Sequence, residues 1–109
     1  MAVAQELTGS DGAPEAALER RLVVTEEAGL HARPAAAFAQ AAGRGAATVT
    51  VRRAAARPGA DEREVSARSV LSLMALNIRC GEEIVLRARG DGAAETLTAL
   101  AEIAAPTAG

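Results

Sequence analysis

The sequence predicts an α+β domain, a four-stranded antiparallel sheet covered on one face by three helices in the order β-α-β-β-α-β-α. Four short runs, at 21–25, 47–52, 63–66 and 82–89, carry β-branched or alternating residues. Between and after them lie three segments, 32–42, 70–76 and 93–104, suited to helices by alanine content or by apolar spacing. The 109 residues fit one domain, and half of them are hydrophobic, which allows a modest core.

Residues 1–19 are rich in Ala, Gly, Ser and acidic groups, hold Pro14 and sustain no period. A disordered extension is expected there, ahead of a folded domain at 20–106. Arg21-Leu22-Val23-Val24-Thr25 is a compact run with two valines and suits a first strand. Glu26 to Leu30 then form a loop, in which Gly29 permits an abrupt turn. The first helix is expected from Ala32 to Ala42, with Ala35, Phe38 and Ala42 buried and with Gly43 and Gly45 as its stop.

Ala47 to Arg52 alternates and predicts the second strand; Arg53 to Glu62, with Pro58-Gly59 and a charge cluster, predicts a turn. Arg63 to Ser66 suits a short third strand. Ser69 opens a second helix at Val70 to Leu76, and Asn77 suits a left-handed cap. Glu82 to Arg89 is the fourth strand. Asp91 is a candidate N-cap for the last helix, Ala93 to Ala104, with Leu97, Leu100, Ala101 and Ala104 on its buried stripe and Pro106 beyond its end. Phe38 is the only aromatic residue, so the core is built from Val, Leu, Ile, Met and Ala and requires close helix–sheet approach.

Composition narrows the function. All 12 basic residues are Arg, 14 residues are acidic, and the net charge is −2, which argues against a general nucleic-acid binder. One cysteine, Cys80, excludes an internal disulfide, and with one histidine there is no His/Cys zinc set. Cys80 has no second histidine to act as its base, so an ordinary thiol is expected. No apolar run reaches the roughly eighteen residues of a membrane span. The first residues lack a basic region and a long apolar stretch, so no signal peptide and a cytoplasmic location are expected. An enzyme of a general kind fails on inventory, with no Gly-rich phosphate loop followed by Lys and no evident carboxylate dyad.

The segment Gly29-Leu30-His31-Ala32-Arg33-Pro34-Ala35 holds the only histidine. A histidine at a helix start faces unpaired backbone N–H groups and the positive end of the helix dipole. A phosphoryl group on its ring would be held by those donors and by Arg33. Histidine also offers a neutral, nucleophilic ring near pH 7. The plainer reading is a terminal residue exposed to water. Pro34 in the first turn forgoes no needed donor, and Arg33 is badly placed for an intrahelical ion pair with its neighbour. Both features favour the functional reading.

This segment resembles the active-site signature of the HPr family, the histidine-containing phosphocarriers of the bacterial sugar phosphotransferase system. Ala67-Arg68-Ser69-Val70-Leu71-Ser72-Leu73-Met74-Ala75-Leu76 is similar to the family's regulatory serine and following helix. Gly81 to Gly90 resembles its last strand. The resemblance covers about residues 20 to 104 in the family's order and implies an open-faced β-sandwich. It implies that His31 accepts a phosphoryl group on Nδ1 from phosphorylated enzyme I and passes it to an enzyme IIA, with Arg33 neutralising phosphate charge. No cofactor is implied for this chain, because the Mg²⁺ requirement belongs to enzyme I. Ala32 departs from the Thr or Ser of many relatives and removes one hydroxyl donor.

Ser69 carries two readings. It is an N-cap, or, by resemblance, a target of HPr kinase/phosphorylase whose phosphate could repel enzyme I and recruit a transcription regulator. The resemblance also implies a docking patch at Val70, Leu71 and Met74 beside Ala36, Gln40 and Gly43, with Arg33, Arg68 and Arg79 as its basic rim. Three apolar residues at i, i+1 and i+4 cannot all be buried by one short helix, so at least one is expected exposed. A monomer is expected. The competing reading is a regulatory binding module that acts through Ser69 or through docking without passing phosphate. An intact His31 and Arg33 argue against it.

Overall fold

The structure, a computed structural model, describes residues 17–54 and 63–106. Most of the expected N-terminal extension and most of the expected turn after Arg53 lie outside the described residues. The elements are β1 (Leu18–Val23), α1 (Ala32–Arg44), β2 (Thr48–Arg53), β3 (Val65–Ser66), α2 (Val70–Ala75), β4 (Glu83–Arg89) and α3 (Ala93–Ala104). They follow the expected order β-α-β-β-α-β-α.

The strands form one antiparallel sheet in the order β1-β4-β2-β3. Strand β4 is central: Leu18 pairs with Ala88 on one side, and Val49 with Ala88 on the other. Its alternation sends Ile84, Leu86 and Ala88 into the core beneath the helices. Val85 faces the opposite way, between Arg21 and Arg52 in the register, and is buried as well. The outer face carries ion pairs, Arg21 with Glu83 and Arg87 with Glu19 and Glu64.

The core is mostly aliphatic, as the composition demands. Phe38 is fully buried with Leu30, Leu73, Ile78, Ile84, Leu86 and Leu100; burying a side chain of this size is worth about 2–3 kcal/mol. Ala35, Ala39 and Ala42 line the buried face of α1 and permit close approach to its neighbours. The expected stripe of α3 is buried in full, joined by Ala93 and Thr96.

Several boundaries differ from expectation. Strand β1 starts at Leu18, inside the expected extension, because β4 offers it pairing partners as far as Ala88. It ends at Val23; Val24 is buried beyond it, donating its N–H to Glu82 O at 2.9 Å. Helix α1 continues through Gly43 to Arg44, and only Gly45 ends it. Gly43 sits on the exposed face, where its weak helix propensity is outweighed by the packing of the opposite face. Helix α2 is one residue shorter than expected, with Leu76 as its C-cap. The N-cap of α3 is Gly92, in a left-handed conformation with φ 77°, and not Asp91: the turn at Gly90-Asp91-Gly92 is made by glycine backbone rather than by a side-chain cap.

Candidate functional site

His31 ends a loop that is pinned to the segment following α2. Gly29 donates its N–H to Glu26 O at 2.8 Å, and Leu30 donates to Ile78 O at 2.9 Å. Gly29 has φ +65°, and a Cβ there would lie 2.3 Å from Ile78 O and 2.9 Å from Arg79 Cα. Glycine is therefore required twice, for the turn and for the close approach. Leu30 fills the core behind it. The next residue, His31, is the N-cap of α1, with extended backbone (φ −115°, ψ 155°) and no side-chain hydrogen bond to the helix.

The imidazole is half-buried, and its Nε2 lies 3.0 Å from Asn77 Oδ1. An amide oxygen only accepts, so the ring nitrogen facing it carries the hydrogen. In the neutral ring, Nδ1 then keeps its lone pair. Asn77 is the expected left-handed residue, with φ +55°, a conformation that Asn tolerates better than most residues. Its own N–H is donated to Met74 O at 3.0 Å.

Arg53, from the end of β2, closes over the same segment. Its Nη2 donates to Leu76 O at 2.7 Å and to Asn77 O at 3.3 Å, and its guanidinium pairs with Glu82 at 3.3 Å. The positive charge satisfies carbonyls at the C-terminal end of α2. Glu82 also accepts the Arg79 N–H at 2.8 Å. Burial alone would raise the Glu82 carboxyl, but the bonds from Arg53 and the Arg79 backbone, with both guanidinium charges, outweigh it and hold the pKa below the ordinary value.

Arg33 is exposed on the first turn of α1 and, among the described residues, its guanidinium has no ion-pair partner. It borders an open groove of about 560 Å³ between the start of α1 and the end of α3, shared with Glu26, Pro34 and Glu102. The polar neighbour of the ring is therefore Asn77; no hydrogen bond joins Arg33 to His31.

Ser69 is the N-cap of α2. Its Oγ accepts the Ser72 N–H at 3.1 Å and donates to Ser72 Oγ at 3.0 Å. Helices α1 and α2 pack side by side. Leu71 is 81% exposed, whereas Val70 and Met74 are half-buried against the core. Ala36 is half-buried, and Gln40 and Gly43 are exposed on α1. Of the basic rim, Arg68 reaches back to donate to Gly45 O at 3.0 Å, and Arg79 is exposed. Cys80 is an exposed free thiol.

From the sequence, Asn77 is legible only as a backbone cap and Arg53 only as the first residue of a turn. Their side-chain partners are 46 and 29 residues away, so local pattern carried no trace of either contact. The available signal was an Asn, with a side chain able to reach, at a left-handed position that glycine fills most easily.

A two-layer α+β domain that sets a histidine at a helix start, with one ring nitrogen held by an amide oxygen, suits a group carrier. The comparisons agree. The family described as "PTS HPr component phosphorylation site" matches residues 18–105. The phosphocarrier protein HPr of Streptomyces coelicolor is 40% identical over 87 residues, covering 80% of this chain and 87% of that protein. The HPr-like protein Crh of Bacillus subtilis is 34% identical over 84 residues, covering 77% of this chain and 91% of that protein. The crystal structure of a phosphocarrier protein HPr from Bacillus anthracis superposes with a TM-score of 0.73 at 35% identity, covering 82% of this chain and 98% of that one.

The chain belongs to the HPr family. It is a phosphocarrier-type protein of the phosphotransferase system, not an enzyme in its own right. No described helix is long and apolar enough to cross a membrane.

Proposed function

We propose that this protein accepts a phosphoryl group on Nδ1 of His31 from phosphorylated enzyme I and passes it to enzyme IIA components. The observation that carries this reading is the contact of Nε2 with Asn77 Oδ1 at 3.0 Å, which leaves Nδ1 as the nitrogen with an available lone pair. In the transfer, Nδ1 attacks the phosphorus of the donor phosphohistidine. The Nδ1–P bond forms as the donor N–P bond breaks, and that electron pair stays with the donor ring. Backbone N–H groups of Ala32 and Arg33 at the start of α1, together with the Arg33 guanidinium, stabilise the phosphoryl oxygens. The product is again a phosphohistidine, so onward transfer is feasible. The chain acts as a cytoplasmic monomer, needs no cofactor of its own, and takes no part in nucleic-acid or membrane binding.

Docking uses the α1–α2 face, where exposed Leu71 stands between half-buried Val70 and Met74 and beside Ala36 and Gln40. The test is intact mass after incubation with phosphoenolpyruvate, Mg²⁺ and a bacterial enzyme I. One acid-labile phosphoryl group is expected, absent in His31→Ala. No modification of folded wild-type protein by several enzymes I would overturn the reading.

The likeness to Crh supports a second reading, in which the protein is a regulatory module acting through Ser69 and docking. HPr kinase/phosphorylase would modify Ser69, and a transcription regulator would bind the product. The kinase would first have to release the Ser69 Oγ from Ser72. An acid-stable phosphoryl group lost in Ser69→Ala is the expected sign.

A further inference from the structure

The His31 ring and the Asn77 side-chain amide, 46 residues apart in the chain, meet at 3.0 Å. The loop that delivers His31 is anchored by its Leu30 N–H to Ile78 O. Asn77 is anchored by its own N–H to Met74 O and by the Arg53 guanidinium on its carbonyl and that of Leu76. Glu82 holds that guanidinium in turn. Donor and acceptor are thus both fixed to the 74–79 segment before they meet, so little ordering remains to oppose the His31–Asn77 bond.

We propose that Asn77 is a positioning residue that holds His31 as the tautomer protonated at Nε2 and thereby directs phosphoryl transfer to Nδ1, with Arg53 and Glu82 keeping Asn77 in place. The inference rests on the acceptor role of His31, but half of its test does not involve phosphate.

The chemistry follows from what an amide can and cannot do. As Nδ1 gives its electron pair to phosphorus, positive charge spreads over the ring and Nε2–H becomes a stronger donor. The bond to Asn77 Oδ1 is therefore stronger in the transition state than before it, which is the condition for lowering a barrier. The amide oxygen cannot remove the proton under these conditions, so Nε2 keeps it. The phosphorylated ring then stays protonated and leaves readily when an acceptor nitrogen attacks the phosphorus: the Nδ1–P bond breaks, its electrons return to Nδ1, and the proton on Nε2 has not moved.

His31 is the only histidine, so its two ring nitrogens are unambiguous in a histidine-labelled ¹⁵N spectrum. With the ring neutral, the wild type should show Nε2 protonated and slowed in exchange, and Nδ1 unprotonated. Asn77→Gly keeps the left-handed backbone and removes the acceptor; it should lose the slowed Nε2–H and reduce the phosphorylation rate about 10-fold at saturating enzyme I. Asn77→Asp keeps an oxygen at the same reach and should restore the protonated Nε2, so a poorly folded glycine variant would not leave the question open. A wild-type ring protonated at Nδ1, or spectra of Asn77→Gly and wild type that coincide, overturns the proposal. So does a shifted spectrum with an unchanged transfer rate. Absence of phosphorylation in the wild type, with the spectral difference present, counts against the carrier reading and supports the tautomer assignment.

Discussion

Ala32 holds a φ of +43°, directly after the histidine and at the start of α1. An alanine there opposes its own Cβ, at roughly 1–2 kcal/mol. Ala32→Gly should therefore stabilise the fold, by up to about 1 kcal/mol once the greater freedom of glycine in the unfolded chain is deducted. Urea denaturation reads this, and a lower midpoint in the variant contradicts it. Gly29 behaves in the opposite way. A Cβ at that position meets Ile78 O, so Gly29→Ala should destabilise by about 1–3 kcal/mol and pull His31 from Asn77. At this scale the sequence was legible where backbone chemistry is local: the Gly29 turn and the left-handed Asn77 both follow from residue type. The His31–Asn77 contact did not, because it depends on two loops brought together by the sheet.

Helix α2 is six residues long and buries only Leu73 fully, so it depends on its ends. At the N-terminus Ser69 caps it; at the C-terminus Arg53 covers the carbonyls of Leu76 and Asn77. Ser69→Ala should destabilise by about 1 kcal/mol, with the loss of amide protection concentrated in 70–76. Uniform protection across those amides would contradict this. The Glu82 carboxyl, whose native pKa lies below its ordinary value of 4.5, sets the acid limit of the other end. Because the folded state binds the proton less readily than the unfolded one, its contribution is complete above that ordinary value and is lost as pH falls through the lower native one. Arg53→Met should weaken the fold at neutral pH and flatten the stability profile in that acidic window; an unchanged profile in urea titrations would exclude the clamp. Element types and order were readable from spacing, since α3 and the alternation of β2 are strongly periodic. The start of β1 was not, because Leu18 to Val23 are largely exposed and take their strand character from pairing with β4. Nor was the cap of α3, where glycine backbone replaced the expected Asp91 side chain.

At the scale of the molecule, the sheet turns an ion-paired outer face away from the helical face that holds His31, Ser69 and Leu71. Leu71, 81% exposed between α2 residues that serve the core, is the apolar knob of that face. Leu71→Ser should raise the KM for enzyme I about 10-fold and change stability by no more than about 0.5 kcal/mol. A large loss of stability with an unchanged KM would show a core role instead. The family and its fold were legible in the motif around His31 and in the order of elements; the supports of the ring, Asn77, Arg53 and Glu82, emerged only once the chain was folded. In the proposed transfer, His31 carries phosphate on Nδ1 while Nε2 stays tied to Asn77. This is tested most directly by phosphorus–nitrogen NMR of the histidine-labelled protein after phosphorylation by enzyme I. Phosphorus coupled to Nδ1, with Nε2 protonated, is the expected result; phosphorus on Nε2 or on Ser69 would contradict it.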